Sequence, residues 1–208
     1  MKTYSKALAF VTVASFLSIP VFAQTQGNSA NPGHLAGANE AMTMVPAKAI
    51  LSRTLDANND RSESTVEARI RDKVTLSNGT VLPTGALLLG TVAQDNMQPV
   101  GASRLALRFN QARLKDGTVI PVKATIVGLF TPGSVATDDV VGPADNLPNT
   151  WNDKTLTVDQ LSVTSGVDLH SNIASDNSGV FVSTKRHDIR LKSGSELQLA
   201  IAPARNAS

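Results

Sequence analysis

The sequence predicts an all-β protein: a single antiparallel barrel or sandwich built from hairpins, with little helix. Three observations predict it. A turn-and-strand segment recurs at Leu76 (LSNGTVLPTG), Leu114 (LKDGTVIPVK) and Leu191 (LKSGSELQLA), setting Asn-Gly, Asp-Gly or Ser-Gly between strand formers. That is the strongest short-range hairpin signal, because such turns need positive φ, which Gly supplies and Asn or Asp tolerates. Apolar and polar residues also alternate with period two, as expected of half-buried strands. Finally, no segment carries the periodicity of a long helix.

In chain order, residues 1–23 read as an export signal. Lys2 and Lys6 precede an apolar run from Ala7 to Phe22, and Val21-Phe22-Ala23 fits a small-x-small cleavage site before Gln24. The rival is an uncleaved anchor helix, but the run is shorter than the ~20 residues that span a bilayer comfortably. No Cys follows it, which excludes a lipid-anchored lipoprotein. The mature chain is therefore expected to hold no transmembrane segment.

Residues 24–44 are rich in Gly, Asn and Ala and read as a flexible leader, with His34 solvated. Residues 45–203 form the expected β domain. Ala49-Ile50-Leu51 leads to Arg53-Thr54-Leu55, then a polar loop runs from Asp56 to Ser64. Val66, Ala68 and Ile70 alternate with Glu67, Arg69 and Arg71. Val74 and Leu76 approach the Asn-Gly turn, and Pro83-Thr84-Gly85 is a further turn. Leu87-Leu88-Leu89 lacks alternation and predicts a strand covered on both faces.

Asp95 to Ala102 is a loop. Leu105, Leu107 and Phe109 then alternate with Arg104, Ala106 and Arg108, and Asp116-Gly117 turns this strand back into Val119–Val127, the best-defined hairpin. Residues 131–154 are a polar excursion with Pro-Gly, Gly-Pro and Leu-Pro-Asn steps, of a length that is usually functional or disordered. Strand signals return at Leu156–Val158, Leu161–Ile173, Val180–Val182 and Ile189–Ile201.

Composition narrows the function. The full chain carries 19 Lys and Arg against 17 Asp and Glu; removing Lys2 and Lys6 leaves 17 of each. A neutral mature chain gives no reason to expect nucleic acid or an anionic membrane as partner. Removing 23 of 208 residues leaves 185, enough to bury a sizeable core without any disulfide. After the signal the aromatics are Phe109, Phe130, Trp151 and Phe181. That is too few for stacking platforms or for the girdles of a membrane barrel.

The sharpest local motif runs from Asp56 to Glu67. Asp56, Asn58, Asp60 and Glu67 occupy the first, third, fifth and twelfth positions of a Ca²⁺ loop, where oxygens wrap a cation. Arg61 stands where such loops need Gly, so a polar inter-strand turn is the competing reading. Ca²⁺ is accordingly the only cofactor raised. Asp168 and His170 share one face of a strand, an arrangement that can orient an imidazole, yet no Cys or G-x-S-x-G supplies a nucleophile. His187-Asp188 points to opposite faces. Arg69, Arg71, Arg104, Arg108 and Arg113 could present guanidinium groups to a carboxylate-bearing partner, or pair across strands with Glu67 and Asp72.

The order of features from Val45 to Val127 also resembles a known family. Val45-Pro46-Ala47 opens it, and Asn59-Asp60-Arg61-Ser62 leads to Thr65-Val66-Glu67-Ala68-Arg69. Gly79-Thr80-Val81-Leu82-Pro83-Thr84-Gly85, Leu89-Gly90-Thr91-Val92, Ser103-Arg104-Leu105 and Leu114-Lys115-Asp116-Gly117-Thr118 follow, and Leu191-Lys192-Ser193-Gly194 closes the plan. This resembles the periplasmic β-barrel domain of the TrbI-type family, which builds the outer-membrane core complex of bacterial type IV secretion and conjugation channels. The resemblance implies a barrel fold and envelope or secretion-complex proteins, or a second copy of the chain, as partners. Family members carry an inner-membrane anchor and insert an apolar helical hairpin through the outer membrane; residues 131–154 here are polar and acidic and cannot cross lipid. The expectation is a non-catalytic, exported relative of the barrel, periplasmic or extracellular. The alternatives are a secreted hydrolase using separated carboxylates and a Ca²⁺-stabilised β module.

Overall fold

A computed structural model describes residues 43–96, 99–132, 157–164, 166–183 and 189–204. The expected signal, nearly all of the leader, His187-Asp188 and all but Thr131 and Pro132 of the polar excursion lie outside them. Among the described residues there are thirteen strands: β1 (Val45–Leu51), β2 (Leu55–Asp56), β3 (Thr65–Ile70), β4 (Val74–Thr75), β5 (Val81–Leu82), β6 (Leu87–Ala93), β7 (Ser103–Arg113), β8 (Val119–Phe130), β9 (Thr157–Thr164), β10 (Val167–Asn172), β11 (Gly179–Ser183), β12 (Arg190–Leu191) and β13 (Glu196–Pro203). Among the described residues there is no helix, and none long and apolar enough to cross a membrane.

The choice between barrel and sandwich resolves as a barrel. The order β6-β3-β1-β13-β8-β7 is closed by β6 pairing with β7, and every pairing is antiparallel. The inward positions follow from alternation: Ala47, Ala49 and Leu51; Val66, Ala68 and Ile70; Leu197, Leu199 and Ile201, all buried in one apolar cluster. Ala and Gly interleave with Leu, Ile and Phe because six strands leave little room inside. Gly90 shows the limit. A Cβ there would lie 2.1 Å from the Arg108 carbonyl oxygen and 2.8 Å from Phe109 Cδ1. The interior is a packed core.

Two of the three recurrent turns close ladders. Gly79 and Gly117 take φ of 82° and 88°, while Asn78 Oδ1 and Asp116 Oδ1 accept the N–H two residues on at 3.0 and 2.9 Å, joining β4 to β5 and β7 to β8. Backbone and side-chain hydrogen bonds from Thr118 hold the Asp116 carboxyl below its usual range. The third is not a hairpin. Gly194 has φ of 81°, but Ser193 N–H donates to Thr54 Oγ1 and Ser193 Oγ to the Ser52 carbonyl, stitching the turn to the end of β1. β12 consequently pairs with β2, and β13 with β1 and β8. A turn at Gly166 inside the expected Leu161–Ile173 strand does close a ladder: Gly166 has φ of 71° and Val167 lies opposite Thr164, splitting that run into β9 and β10.

Other expectations shift too. The three leucines of β6 do alternate: Leu88 is buried, while Leu87 and Leu89 are half-buried on the outside. Leu87 sits between Arg69 and Arg113 across the sheet, where long arginine stems accompany an apolar neighbour. Met44, assigned to the leader, is fully buried. The hairpin expected to be best defined pairs over only three positions, Gln111–Arg113 with Val119–Pro121. Beyond them β7 turns to β11, matching Ser103–Leu107 with Gly179–Ser183, and β11, β10 and β9 extend the sheet as a flap.

Candidate functional site

The parting of β7 from β8 shapes a concave surface feature. Leu89 faces Gln111 but Gly90 faces Phe109, so Asn110 is an extra residue in β7. Such a bulge bends the strand and re-aims its side chains. It also flips the inward set, so Phe109 and Ala112 are both buried. Past the bulge the loop before β11 wedges in. Ser178 N–H donates to the Leu107 carbonyl at 2.7 Å, Ile126 N–H donates to the Ser178 carbonyl at 2.7 Å, and Phe109 N–H donates to Ser178 Oγ at 2.9 Å. One serine thus replaces the missing rungs between two strands.

At the foot of this wedge lies an open cleft of about 260 Å³, lined by Arg108, Phe109, Asn110, Val122, Lys123, Ala124 and Asp176. Lys123 Nζ donates to the Ser175 carbonyl at 3.1 Å, which holds the ammonium at the rim. Arg108 is half-buried, and its Nε–H is buried without a hydrogen-bond partner among the described residues. Asp176 is exposed beside them.

The remaining arginines behave differently. Arg71 pairs with Glu196 and is held above its usual pKa first by that hydrogen bond. Arg113 reaches Glu67 at 3.5 Å, and Arg104 lies 3.6 Å from Asp95. Ion pairing therefore accounts for Arg71, Arg104 and Arg113, with Glu67 as an expected partner, Glu196 as the partner of Arg71 and the loop residue Asp95 as that of Arg104. Each exposed pair contributes ~0–1 kcal/mol.

The Asp56–Glu67 segment is placed as follows. Asp56, on β2, is 7% exposed; its Oδ1 accepts Asn58 N–H at 3.0 Å and its Oδ2 accepts Arg190 Nη2 at 2.8 Å. The Arg190 hydrogen bond, then that of Asn58, holds the Asp56 carboxyl below its usual range. Asp60 Oδ2 accepts the Asp56 N–H at 2.7 Å, and its Oδ1 pairs with Arg53 at 2.7 Å. Asn58 is exposed, and Glu67 stands on β3 with Arg113. The turn brings Asp56 and Asp60 together, each already engaged by a guanidinium. Among the described residues no group of three or more His, Cys, Asp or Glu could hold a metal ion.

Asp168 and His170 share the outward side of β10, with Val167 and Leu169 buried. The imidazole contacts a different carboxylate: His170 Nδ1 lies 2.7 Å from Asp159 Oδ1, directly across the β9–β10 ladder. No pattern in the sequence points to that partner, because it depends on the turn at Gly166. Arg108 was visible only as one of five arginines, and Lys123 and Asp176 not at all. The usable signal was the break in period two between Phe109 and Ala112.

No protein-family model matches the chain, and no curated protein matches it. Among solved structures, the chain is similar to ComB10 of the Com type IV secretion system of Helicobacter pylori, at 12% identity and a TM-score of 0.36, over 77% of this chain and 85% of that one.

Proposed function

We propose that this protein is a non-catalytic binding and scaffold module of the bacterial cell envelope, exported by its N-terminal signal and working in contact with other envelope or secretion-complex proteins. The observation that carries the reading is the division between a filled barrel and an extended wall. Side chains occupy the interior, which leaves the outer surface to meet partners. There, β7 continues into the β11-β10-β9 flap, with β9 at the sheet's end among the described residues. A terminal strand can add a partner strand by main-chain hydrogen bonds. The order of turn and strand motifs along the sequence, which resembles that of the TrbI-type barrel, supports the cellular setting.

In-cell cross-linking of the tagged full chain, followed by mass spectrometry, tests this. Recovery of envelope or secretion components, with a mature protein beginning at Gln24, is the expected result. A soluble monomer that cross-links to nothing overturns the scaffold reading and leads to substrate screening.

A further inference from the structure

We propose that the cleft between β7 and β8 binds one carboxylate carried on an extended, acidic segment of a partner protein, with Arg108 as its principal contact. The inference deepens the binding reading above and rests on it for the bearer of the carboxylate.

Three observations converge on that chemistry. Arg108 departs from the other four arginines of its group by lining a concavity with a buried Nε–H that no described residue accepts. A guanidinium presents parallel N–H groups that a planar carboxylate meets with both oxygens, and an arriving oxygen gives the orphaned N–H its partner. Charge selects the ligand further. Arg108 and Lys123 against Asp176 leave the lining one positive charge in excess, which matches a monoanion. A phosphate dianion would face Asp176 unbalanced.

The third observation is the backbone. Ala124 lies beyond the short β7–β8 ladder. Ile126, two residues further on, directs its N–H into the seam towards Ser178. Strand alternation turns the peptide groups of Ala124 the same way, towards the cleft. An extended segment can lie along them while its acidic side chain reaches Arg108. Lys123, held by Ser175, supplies attraction at the rim.

The test is an NMR titration of the isotope-labelled full chain with the blocked tripeptide acetyl-Gly-Glu-Gly-amide, with inorganic phosphate as a parallel arm. The Arg108 Nε–H resonance and the amide of Ala124 are expected to move saturably with the peptide. Arg108→Lys, which keeps the charge and loses the fork, is expected to weaken the amide response about tenfold at an unchanged melting temperature. Lys123→Gln is expected to weaken it less. Absence of a saturable change at these positions, or an equal response in Arg108→Lys, overturns the proposal. So does phosphate binding more tightly than the peptide. If Arg108→Lys melts early, Lys123→Gln and the wild-type comparison of peptide with phosphate still decide. A failed titration alongside recovered envelope partners leaves the scaffold reading standing; tight peptide binding with no envelope partner does the reverse.

Discussion

β8 has two sides that fare differently. Towards β13 it pairs from Val122 to Phe130, with partners from Pro203 back to Glu196. Towards β7, its neighbour in sequence, it pairs only through Val119, Ile120 and Pro121. The distant strand makes the wall and the adjacent one makes a seam. A tight turn guarantees that two strands start together; whether they stay together depends on what else competes for their edges. Here β11 takes the upper edge of β7, and the lost rungs leave polar, shaped space.

The largest expected effect comes from damaging the wall. Leu199 is fully buried beside β8, and Leu199→Ala should cost about 3 kcal/mol in denaturant unfolding, through lost burial and a residual cavity. A cost under about 1 kcal/mol would show that the β8–β13 wall does not dominate the core.

Gly90→Ala tests the bulge on the other side of β7. The added methyl meets a backbone oxygen that cannot rotate away, so about 2 kcal/mol of destabilisation is expected, with the amides near Asn110 exchanging fastest. Full stability in this variant would mean that β6 and β7 separate easily at the bulge.

At the seam, Ser178→Ala removes the acceptor of the Phe109 N–H and should cost about 1 kcal/mol. Hydrogen exchange is expected to quicken at Phe109 and to leave Leu197–Ile201 unchanged. Uniform acceleration would erase the distinction between seam and wall.

The smallest effect concerns pH at the β2–β12 pair. Asp56 is held below its usual range by Arg190. A depressed carboxyl stabilises the fold above the unfolded value, about 3.9, and that contribution is lost as pH falls through the lower folded value. Asp56→Asn should therefore differ most from wild type at neutral pH, the gap closing below about pH 4 in thermal melts. Calcium would have to displace Arg190 and Arg53 from these carboxylates, and is expected to leave the wild-type melt unchanged. A rise in melting temperature would make the loop a cation site.

Local chemistry was readable from the residues. Gly79 and Gly117 marked true hairpins, and Val66-Ala68-Ile70 marked a true inner face, because both depend on contacts a few residues apart. What failed depended on distant partners. Ser193-Gly194 has the composition of a hairpin, yet its hydrogen bonds go to Ser52 and Thr54. His170 met Asp159 instead of standing with Asp168 alone. The cleft was the least legible part, since Arg108, Lys123 and Asp176 come from three segments gathered only when β8 leaves β7.

The position of β13 has a consequence in time. Val45, at the start of β1, lies opposite Ile201, and β13 is flanked by β1 and β8. A chain that emerges N-terminus first cannot close this barrel until β13 is free. Until then the edges of β1 and β8 stand open, and most of the apolar interior has no lid. Such late closure slows folding and prolongs exposure to aggregation. It also keeps the nascent chain threadable, so the strand that completes the barrel sets when the molecule can first become rigid.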